Sequence, residues 1–499
     1  MNKTPNILFI MSDQMVAALT GAYEHPVVKT PNLNRLCEHG IRFDAAYTPF
    51  PVCSPARACT MAGRHASEIG AWDNGALYAA DQPGMAHYLS NAGYDTVLSG
   101  KMHFIGPDQV HGFNRRLTTD IYSSDFSWVK QEWIDIKTNQ SCDHEKIMAN
   151  RQAYNAQGYT AEEIHVGKWH NALSYDEETH FRAIEYLRSR GNNTEPFMLV
   201  ASYHHPHEPF HTPHEYWDLY EDAEITLPIF PENIDETYSM MDRCLNSYHG
   251  TKRYNLRDND SLYKLRRSYY GLVTYMDNKV GELLNTLEQT GLADNTVVVF
   301  ASDHGDMLCE KEMVQKRCFY EWSCRVPLIM RFPDHWQAGT KCETPVSLID
   351  LLPTFCEIAN TPPSLPHDGE NLINLIDKPP ADRTIFAQAH EAVGMPCIMA
   401  RKRKFKYNYI HGHKDQLFNL TDDPDEWQNL ISNPLYSDLA NDLRNEITDR
   451  FNPEIIASDT LESLLRRQLI NETMTRHKQT WCHSPKFDYT RGSMDQYLP

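Results

Sequence analysis

Four short, largely apolar runs along the chain each end in a group of polar residues. They are residues 6–11 (NILFIM), 94–98 (YDTVL), 196–203 (PFMLVASY) and 296–301 (TVVVFA). Runs of this length and composition are typical of strands that are buried on both faces of a parallel sheet. Because ligands bind at the carboxyl ends of such strands, the polar residues that follow these runs are the first candidates for a functional site.

Segments with helical spacing lie between the predicted strands. Residues 30–40 begin with Thr30 before Pro31 and end at Gly40, which is the usual pattern of a capped helix. Residues 176–190 and 262–289 are longer amphipathic helices by the same criterion. This alternation predicts an α/β fold with a central, mostly parallel sheet flanked by helices.

The composition of the chain changes after Pro353 and a proline-rich stretch. Beyond it the pattern predicts two strands, a turn-rich connection and two helices, at residues 383–389, 397–407, 417–430, 437–451 and 460–471. We therefore expect a catalytic domain over residues 1–375 and a smaller α+β domain over residues 376–499.

Composition and charge exclude several classes of function. The 499 residues are 41% hydrophobic, which is enough for a large core, and the net charge of -20 argues against nucleic-acid binding through a basic field. No run reaches the ~18 apolar residues that span a membrane, and the N-terminus lacks a targeting signal. Twelve cysteines without CxxC pairs indicate reduced thiols in a cytoplasmic protein.

The stretch PFPVCSPARACTMAGR combines three features that suit chemistry on an anion. Cys53 is a candidate nucleophile, Pro55 presets the backbone, and Arg57 is an always-charged anion clamp. Residues 58–64 resemble the start of a helix, whose N-terminal amides also favour an anion. The plainer interpretation of Cys53 is a small buried cysteine near a turn. Residues elsewhere in the chain are needed to distinguish this interpretation from a nucleophile.

The other predicted strand ends supply the remaining chemistry. Hard ligands for a divalent cation follow the first and last of these strands, namely Asp13, Gln14, Asp303 and His304. Basic groups suited to a tetrahedral oxyanion are spread over the chain, namely Arg57, Lys101, His103, His207 and Lys316. Asp13 alone would equally be a helix N-cap, and loop histidines are often only polar surface groups. Their convergence at one sheet edge predicts a metal-assisted transfer of a sulfuryl or phosphoryl group.

The motifs taken together resemble the type I sulfatases of the alkaline phosphatase-like superfamily. The resemblance rests on seven stretches in the family's order over about residues 5–430: NILFIMSDQ, CSPARACTMAGR, GYDTVLSGKMHF, HHPHEP, VVVFASDHGD, KRCFYEWSCRVPLI and DQLFNLTDDPDE. It implies an alkaline phosphatase-like fold and hydrolysis of a sulfate ester.

The resemblance also implies specific roles. Cys53 would be oxidised to formylglycine by a formylglycine-generating enzyme or radical maturase, and its hydrate would be the nucleophile. Calcium, or alternatively magnesium or manganese, would be held by Asp13, Gln14, Cys53, Asp303 and His304. Arg57, Lys101 and Lys316 would bind sulfate. His103 would help break down the hemiacetal sulfate, and His207, or else His204, would lie by the leaving group. Gln14 and His304 depart from the commonest Asp and Asn at these positions.

Within the family the chain is most similar to choline-sulfatases. In that subgroup a quaternary ammonium group is held by aromatic and acidic side chains, and the matching positions are Asn74, Trp128, His144 and Glu391. In the same subgroup a C-terminal tail reaches a neighbouring subunit, and residues 489–497 resemble that tail. The resemblance therefore implies a homo-oligomer, either a dimer or a tetramer, with Asp495 in the substrate pocket. Trp128 is equally an ordinary core aromatic, and Asp495 a solvated terminal charge.

Residues 118–172 are rich in Trp, Asn, Gln and Tyr and predict a long substrate loop. Residues 130–170 match the choline-sulfatase pattern poorly, and the run CEKEMVQKR differs from the subgroup's glycine-containing form. We therefore expect a sulfatase that acts on a small sulfate monoester, with choline-O-sulfate favoured and a sulfated sugar or oligosaccharide as the alternative. A phosphonate monoester or phosphodiester hydrolase and a catalytically dead binding protein are the remaining hypotheses.

Overall fold

The computed structural model of the chain describes residues 4–139, 158–191, 195–479 and 481. Fourteen strands are described: β1 (Asn6–Asp13), β2 (Ile41–Phe43), β3 (Ala46–Tyr47), β4 (Asp95–Gly100), β5 (Arg115–Arg116), β6 (Phe197–Pro206), β7 (Thr296–Ser302), β8 (Leu328–Arg331), β9 (Thr340–Cys342), β10 (Val346–Ser347), β11 (Thr384–Ala389), β12 (Cys397–Lys402), β13 (Phe405–Ile410) and β14 (Gln416–Asn419). The four apolar runs of the sequence correspond to β1, β4, β6 and β7, so these four strand predictions are confirmed.

An eight-stranded sheet forms the centre of the molecule, in the order β5-β4-β6-β1-β7-β8-β2-β9. Strands β4, β6, β1 and β7 run parallel to one another, whereas β8 is antiparallel to both of its neighbours. All eight residues of β1 and all seven of β7 are buried, as the continuous apolar runs predict. The predicted mixed, mostly parallel sheet is confirmed.

Helices pack on both faces of this sheet, around two separate apolar clusters. The α-helices are Pro31–Glu38, Cys53–Ala62, Ala66–Ile69, Met85–Asn91, Gln131–Asn139, Asn171–Ser189, His214–Trp217, Met240–His249, Asn259–Gln289, Glu321–Cys324, Leu351–Ile358, Leu372–Asp377, Ser437–Arg450 and Pro453–His477. In β1, Phe9 belongs to one cluster and Leu8 to the other, because successive side chains of a strand point to opposite faces. No helix in the described ranges combines the length and the apolarity needed to cross a membrane.

A second, four-stranded antiparallel sheet, β11-β12-β13-β14, follows the central one. The sequence analysis expected one strand over residues 397–407, but the structure has β12 and β13 joined by a turn in which Arg403 takes a left-handed φ of 51°. The expected turn-rich connection at residues 417–430 likewise begins with β14, which pairs with β13. The domain boundary at residue 375 stays a prediction.

Among the described residues, nine cysteines are free, at positions 37, 53, 59, 309, 318, 324, 342, 356 and 397. Cys244 is disulfide-bonded. The expectation that all the thiols are reduced is therefore wrong for Cys244.

Candidate active site

The carboxyl ends of four parallel strands bring the candidate residues to one edge of the sheet. Strand β1 ends at Asp13 and β4 is followed by Lys101, while β6 is followed by His207 and β7 by Asp303. Because β1 lies between β6 and β7 in the sheet, these chain ends are neighbours in space. The convergence predicted from the sequence is present in the structure.

Cys53 is the first residue of the helix Cys53–Ala62, which begins earlier than the residues 58–64 expected from the sequence. Its Sγ lies 3.1 Å from Nε2 of His304 and 3.8 Å from Oδ1 of Asp13. Together with Asp303, these residues form a buried cluster whose ligand atoms all lie within 4.8 Å of one another. Two carboxylates, an imidazole and a fourth donor fit a divalent cation, so the donor set agrees with the metal that the sequence implies.

Arg57 lies one helical turn after Cys53, and all three nitrogens of its guanidinium donate hydrogen bonds within the site. Its Nε donates to Oδ2 of Asp303 at 2.8 Å and its Nη2 to Oδ2 of Asp13 at 3.0 Å. Its Nη1 donates to the carbonyl oxygen of Lys101 at 2.6 Å and to Oγ of Ser202 at 2.7 Å. Arg57 therefore orients both carboxylates of the cluster and ties three strand ends together.

Two cations and a histidine control the charge of Asp13. Nζ of Lys101 lies 2.5 Å from Oδ2 of Asp13, and Nε2 of His207 lies 3.9 Å from its Oδ1. Burial alone would raise the pKa of this carboxyl, but Lys101, His207 and Arg57 hold the pKa well below its ordinary value. Asp13 is therefore ionised and available as a cation ligand.

The side chain of Gln14 links Lys316 to two carboxylates. Its Oε1 accepts a hydrogen bond from Nζ of Lys316, and its Nε2 donates to Oε2 of Glu208 at 2.6 Å and to Oδ2 of Asp306. Burial and the charge of Glu208 raise the pKa of Asp306 to about 7. The sequence analysis did not select Glu208 or Asp306, although both lie inside quoted motifs, HHPHEP and VVVFASDHGD.

Lys316 and His207 form a directly bonded pair. Nζ of Lys316 donates to Nε2 of His207 at 2.9 Å, so the imidazole proton lies on Nδ1, which is 3.2 Å from Oε2 of Glu208. Burial would lower the pKa of Lys316, but the carboxylates of Glu208 and Asp13 raise it above its ordinary value. The ammonium group is therefore charged at neutral pH.

Aromatic rings line the side of the site near His103. The ring centroid of His103 lies 4.6 Å from that of Trp128 and 4.8 Å from that of Tyr122, and Nζ of Lys101 lies 4.5 Å above the Tyr122 ring. Burial and the charge of Lys101 lower the pKa of His103 to about 3. His204 adds a further ring, 5.8 Å from Tyr122. Tyr122, which the sequence analysis did not select, therefore lies beside His103, His204 and Lys101.

Glu391 and Asn74 also lie beside the nucleophile position. The backbone N–H of Ser54 donates to Oδ1 of Asn74 at 3.0 Å, and the backbone N–H of Asn74 donates to Oε2 of Glu391 at 2.7 Å. The other oxygen of Glu391 pairs with Arg317, a residue that the sequence analysis did not consider. His144 and Asp495, the remaining predicted substrate contacts, lie outside the described residues.

Comparison with known proteins places this geometry in a family. The family model named Sulfatase matches residues 5–361, and the model for the C-terminal part of N-sulphoglucosamine sulphohydrolase matches residues 309–452. The chain belongs to the sulfatase family. It is therefore a sulfuric ester hydrolase, as the motifs predict.

One named relative and two solved structures are similar to this chain. The chain is 35% identical to the choline-sulfatase of Rhizobium meliloti (strain 1021), over 96% of this chain and 94% of that protein. Two solved structures share its fold at 22% identity. The phosphonate monoester hydrolase of Agrobacterium radiobacter superposes with a TM-score of 0.69 over 89% of this chain and 95% of that one. A structure in complex with D-glucosamine-2-N,6-O-disulfate superposes with a TM-score of 0.67 over 95% and 98%. The alkaline phosphatase-like fold of this sulfatase is confirmed.

Proposed function

We propose that this sulfatase releases inorganic sulfate from a small sulfate monoester, with Cys53 as the precursor of a formylglycine nucleophile. The observation that carries the proposal is the position of Cys53 at a helix N-terminus, in contact with the buried Asp13, Asp303 and His304 cluster. A helix N-terminus favours an anion, and the cluster holds a cation opposite it. We propose further that a formylglycine-generating enzyme or radical maturase carries out the conversion.

The cation that fits this cluster best is Ca²⁺, with Mg²⁺ or Mn²⁺ as alternatives. Asp13, Asp303 and His304 would hold it together with the modified Cys53. Gln14 would support the site indirectly. Its side-chain oxygen accepts a hydrogen bond from Nζ of Lys316, and so it positions that ammonium group. A bound divalent cation stabilises negative charge on sulfate oxygens, while the formylglycine hydrate supplies a hydroxyl nucleophile.

The remaining residues act on the ester itself. An oxygen of the formylglycine hydrate would bond to sulfur as the bond between sulfur and the ester oxygen breaks, and the ester oxygen leaves with the electron pair and needs a proton. Loss of the proton from the second hydroxyl of the hydrate would then re-form the aldehyde and release sulfate. The charged Nζ of Lys316, 2.9 Å from Nε2 of His207, is positioned to donate this proton directly or through the imidazole. Lys101 lies on the opposite side of Asp13 and would balance charge on the sulfate oxygens.

Two classes of alcohol are candidates for the leaving group. Choline is supported by the likeness to a choline-sulfatase over nearly the whole chain and by the rings of Trp128 and Tyr122. A sugar is supported by the ion pair between Glu391 and Arg317, which leaves no free carboxylate for a cation at that position.

The test is sulfate release by protein co-produced with a maturation enzyme. The substrates are choline-O-sulfate, a panel of sulfated mono- and disaccharides, and 4-nitrophenyl phenylphosphonate as a probe of the superfamily's phosphonate chemistry. Intact mass of the Cys53 peptide verifies conversion, because formylglycine replaces the thiol by an aldehyde. Release from at least one sulfate ester supports the proposal. Turnover of the phosphonate alone, by verified formylglycine protein, would contradict it.

A further inference from the structure

A buried ion pair joins the segment that carries Lys316 to the loop after β11. Nε and Nη2 of Arg317 lie 2.7 Å and 2.6 Å from Oε1 of Glu391. The side chain of Arg317 is 5% exposed and that of Glu391 is fully buried, so this pair is removed from water. A charge-assisted pair of this geometry is strong, and separating it in a buried setting is unfavourable.

Other hydrogen bonds hold both partners in place. The second oxygen of Glu391 accepts the backbone N–H of Asn74, while Nη1 of Arg317 donates to Oε1 of Gln315 at 2.8 Å. The backbone N–H of Arg317 donates to the carbonyl oxygen of Pro51, two residues before Cys53. The guanidinium nitrogens of Arg317 and both carboxylate oxygens of Glu391 are therefore hydrogen-bonded, close to the start of the helix that carries Cys53.

The backbone of Arg317 is strained. Its φ of 86° lies in the left-handed region, which residues with a side chain adopt rarely and at an energetic cost. The chain keeps this conformation at the residue directly after Lys316.

Among the described residues, the charged groups around Glu391 leave this part of the site without net negative charge. Nζ of Lys137 donates to the carbonyl oxygen of Val393, two residues beyond Glu391. Asp73, the residue before Asn74, is itself paired with Arg467 at 2.6 Å. Two cations, Arg317 and Lys137, therefore accompany the one carboxylate of Glu391. A quaternary ammonium group brought here would meet a carboxylate that is already neutralised.

We propose that Arg317 is a specificity-determining residue that occupies Glu391, so that the site selects sulfate esters of uncharged, hydroxyl-bearing alcohols and disfavours cationic ones. The inference rests on the proposed sulfatase function and narrows its substrate class. Hydroxyl groups can bond to the side-chain amide of Asn74, and the face of Trp128 can stack on a sugar ring.

The experiment compares two esters that differ only in charge, choline-O-sulfate and 3,3-dimethylbutyl sulfate. The quantity measured is the ratio of their kcat/KM values, choline over neutral, with sulfated monosaccharides alongside. For the unsubstituted protein we expect a ratio at or below one. Arg317→Met frees the Glu391 carboxylate and should raise the ratio at least tenfold. The double variant Arg317→Met with Glu391→Gln should lose that gain.

Arg383→Met is the matched control, because Arg383 forms a similarly buried pair with Asp350 at 2.7 Å elsewhere in the fold. It should leave the ratio unchanged, and Arg317→Lys should keep the ratio low because it keeps the positive charge. A ratio of ten or more in the unsubstituted protein would overturn the inference, as would an unchanged ratio in Arg317→Met.

A binding measurement separates this inference from the proposed function. Calorimetry on Cys53→Ala protein compares the affinities of the two esters without turnover. Affinity for choline-O-sulfate at least tenfold tighter than for 3,3-dimethylbutyl sulfate would overturn the role of Arg317 even if no ester were hydrolysed. Absence of sulfate release from every ester by verified formylglycine protein would instead contradict the proposed function.

Discussion

Cys53 combines deep burial with a position at the start of a helix. Its side chain is 1% exposed, and burial together with the charge of Asp13 raises the pKa of its thiol to about 12. A thiol of this kind is a poor nucleophile at neutral pH, since the thiolate is the reactive form. We therefore expect the unmodified cysteine to be inactive as a nucleophile.

Cys53→Ala is expected to lower sulfate release by at least ~10³-fold while the fold stays intact, because it removes the nucleophile and leaves the cluster. Sulfate release and the urea midpoint are the measurements. Cys59→Ala is the control, since Cys59 is buried in the same helix and is not part of the cluster. Activity retained in Cys53→Ala would disprove the nucleophile assignment.

The burial of His390 makes the free energy of unfolding depend on pH. It lies between the rings of Phe50 and Trp72, at centroid distances of 5.7 Å and 5.9 Å. Burial and the charge of Lys137 lower the pKa of His390 to about 3. The unfolded chain therefore binds a proton near pH 6.5 that the folded chain binds only near pH 3, and stability is lost as pH falls through this window.

His390→Phe should reduce the loss of unfolding free energy between pH 6.5 and pH 4, by up to about 1.4 kcal/mol for each pH unit. Urea unfolding at several pH values measures it. His413→Gln, a substitution at an exposed position, should leave the profile as it is. Identical pH profiles for His390→Phe and the unsubstituted protein would contradict the prediction.

At the scale of elements, the loop after β4 depends on one buried carboxylate. Oδ2 of Asp120 accepts the backbone N–H groups of Met102 at 2.9 Å and His103 at 2.7 Å, and pairs with Nη2 of Arg116 at 3.0 Å. His103 has a left-handed φ of 56° within this loop. Asp120 therefore fixes the backbone that presents Lys101 and His103 to the site.

Asp120→Asn should lower kcat by about 10- to 100-fold, because small displacements of catalytic groups are costly. The control is Asp108→Asn, since Oδ1 of Asp108 accepts the backbone N–H groups of Val110 and His111 at 3.0 Å further along the same loop. Both variants should lose some stability, but only the first should lose activity. Equal kcat values in the two variants would refute the positioning role of Asp120.

The strand ends were predictable from the sequence because continuous apolar runs and the polar residues after them are local signals. Other features were not. The turn at Arg403 divides a run of strand-forming residues without the glycine or asparagine that usually marks a left-handed turn. The pairing of Arg317 with Glu391 joins residues 74 positions apart and depends on how two loops meet, so neither residue type nor spacing reveals it. Asn74 and Glu391 were selected only through the family resemblance.

At the scale of the whole molecule, buried charges join the C-terminal part to the central sheet. Nζ of Lys406 in β13 is buried and lies 2.8 Å from Glu321 and 2.7 Å from Glu426. Arg467 of the helix Pro453–His477 forms a bidentate pair with Asp73, at 2.6 Å and 2.7 Å. This helix therefore contacts the loop that carries Asn74, and the two parts stabilise one another.

Arg467→Ala should lower the free energy of unfolding by about 3–5 kcal/mol, because it leaves the buried Asp73 carboxylate without its partner. The adjacent Arg466→Ala should change it by less than about 0.5 kcal/mol, because Arg466 pairs with Glu462 on the exposed face of the same helix. Urea unfolding of both variants is the measurement. Equal effects would show that the buried pair does not join the two parts.

The burial of Cys53 also determines whether its conversion comes before or after folding. The residue lies beneath strand ends contributed by segments from residue 13 to residue 303, so an external enzyme reaches it only before those segments assemble. Conversion would then have to occur on the nascent or unfolded polypeptide. The active fraction of any preparation would be set during synthesis, by the competition between conversion and folding, and adding a maturation enzyme to the folded protein would not increase it.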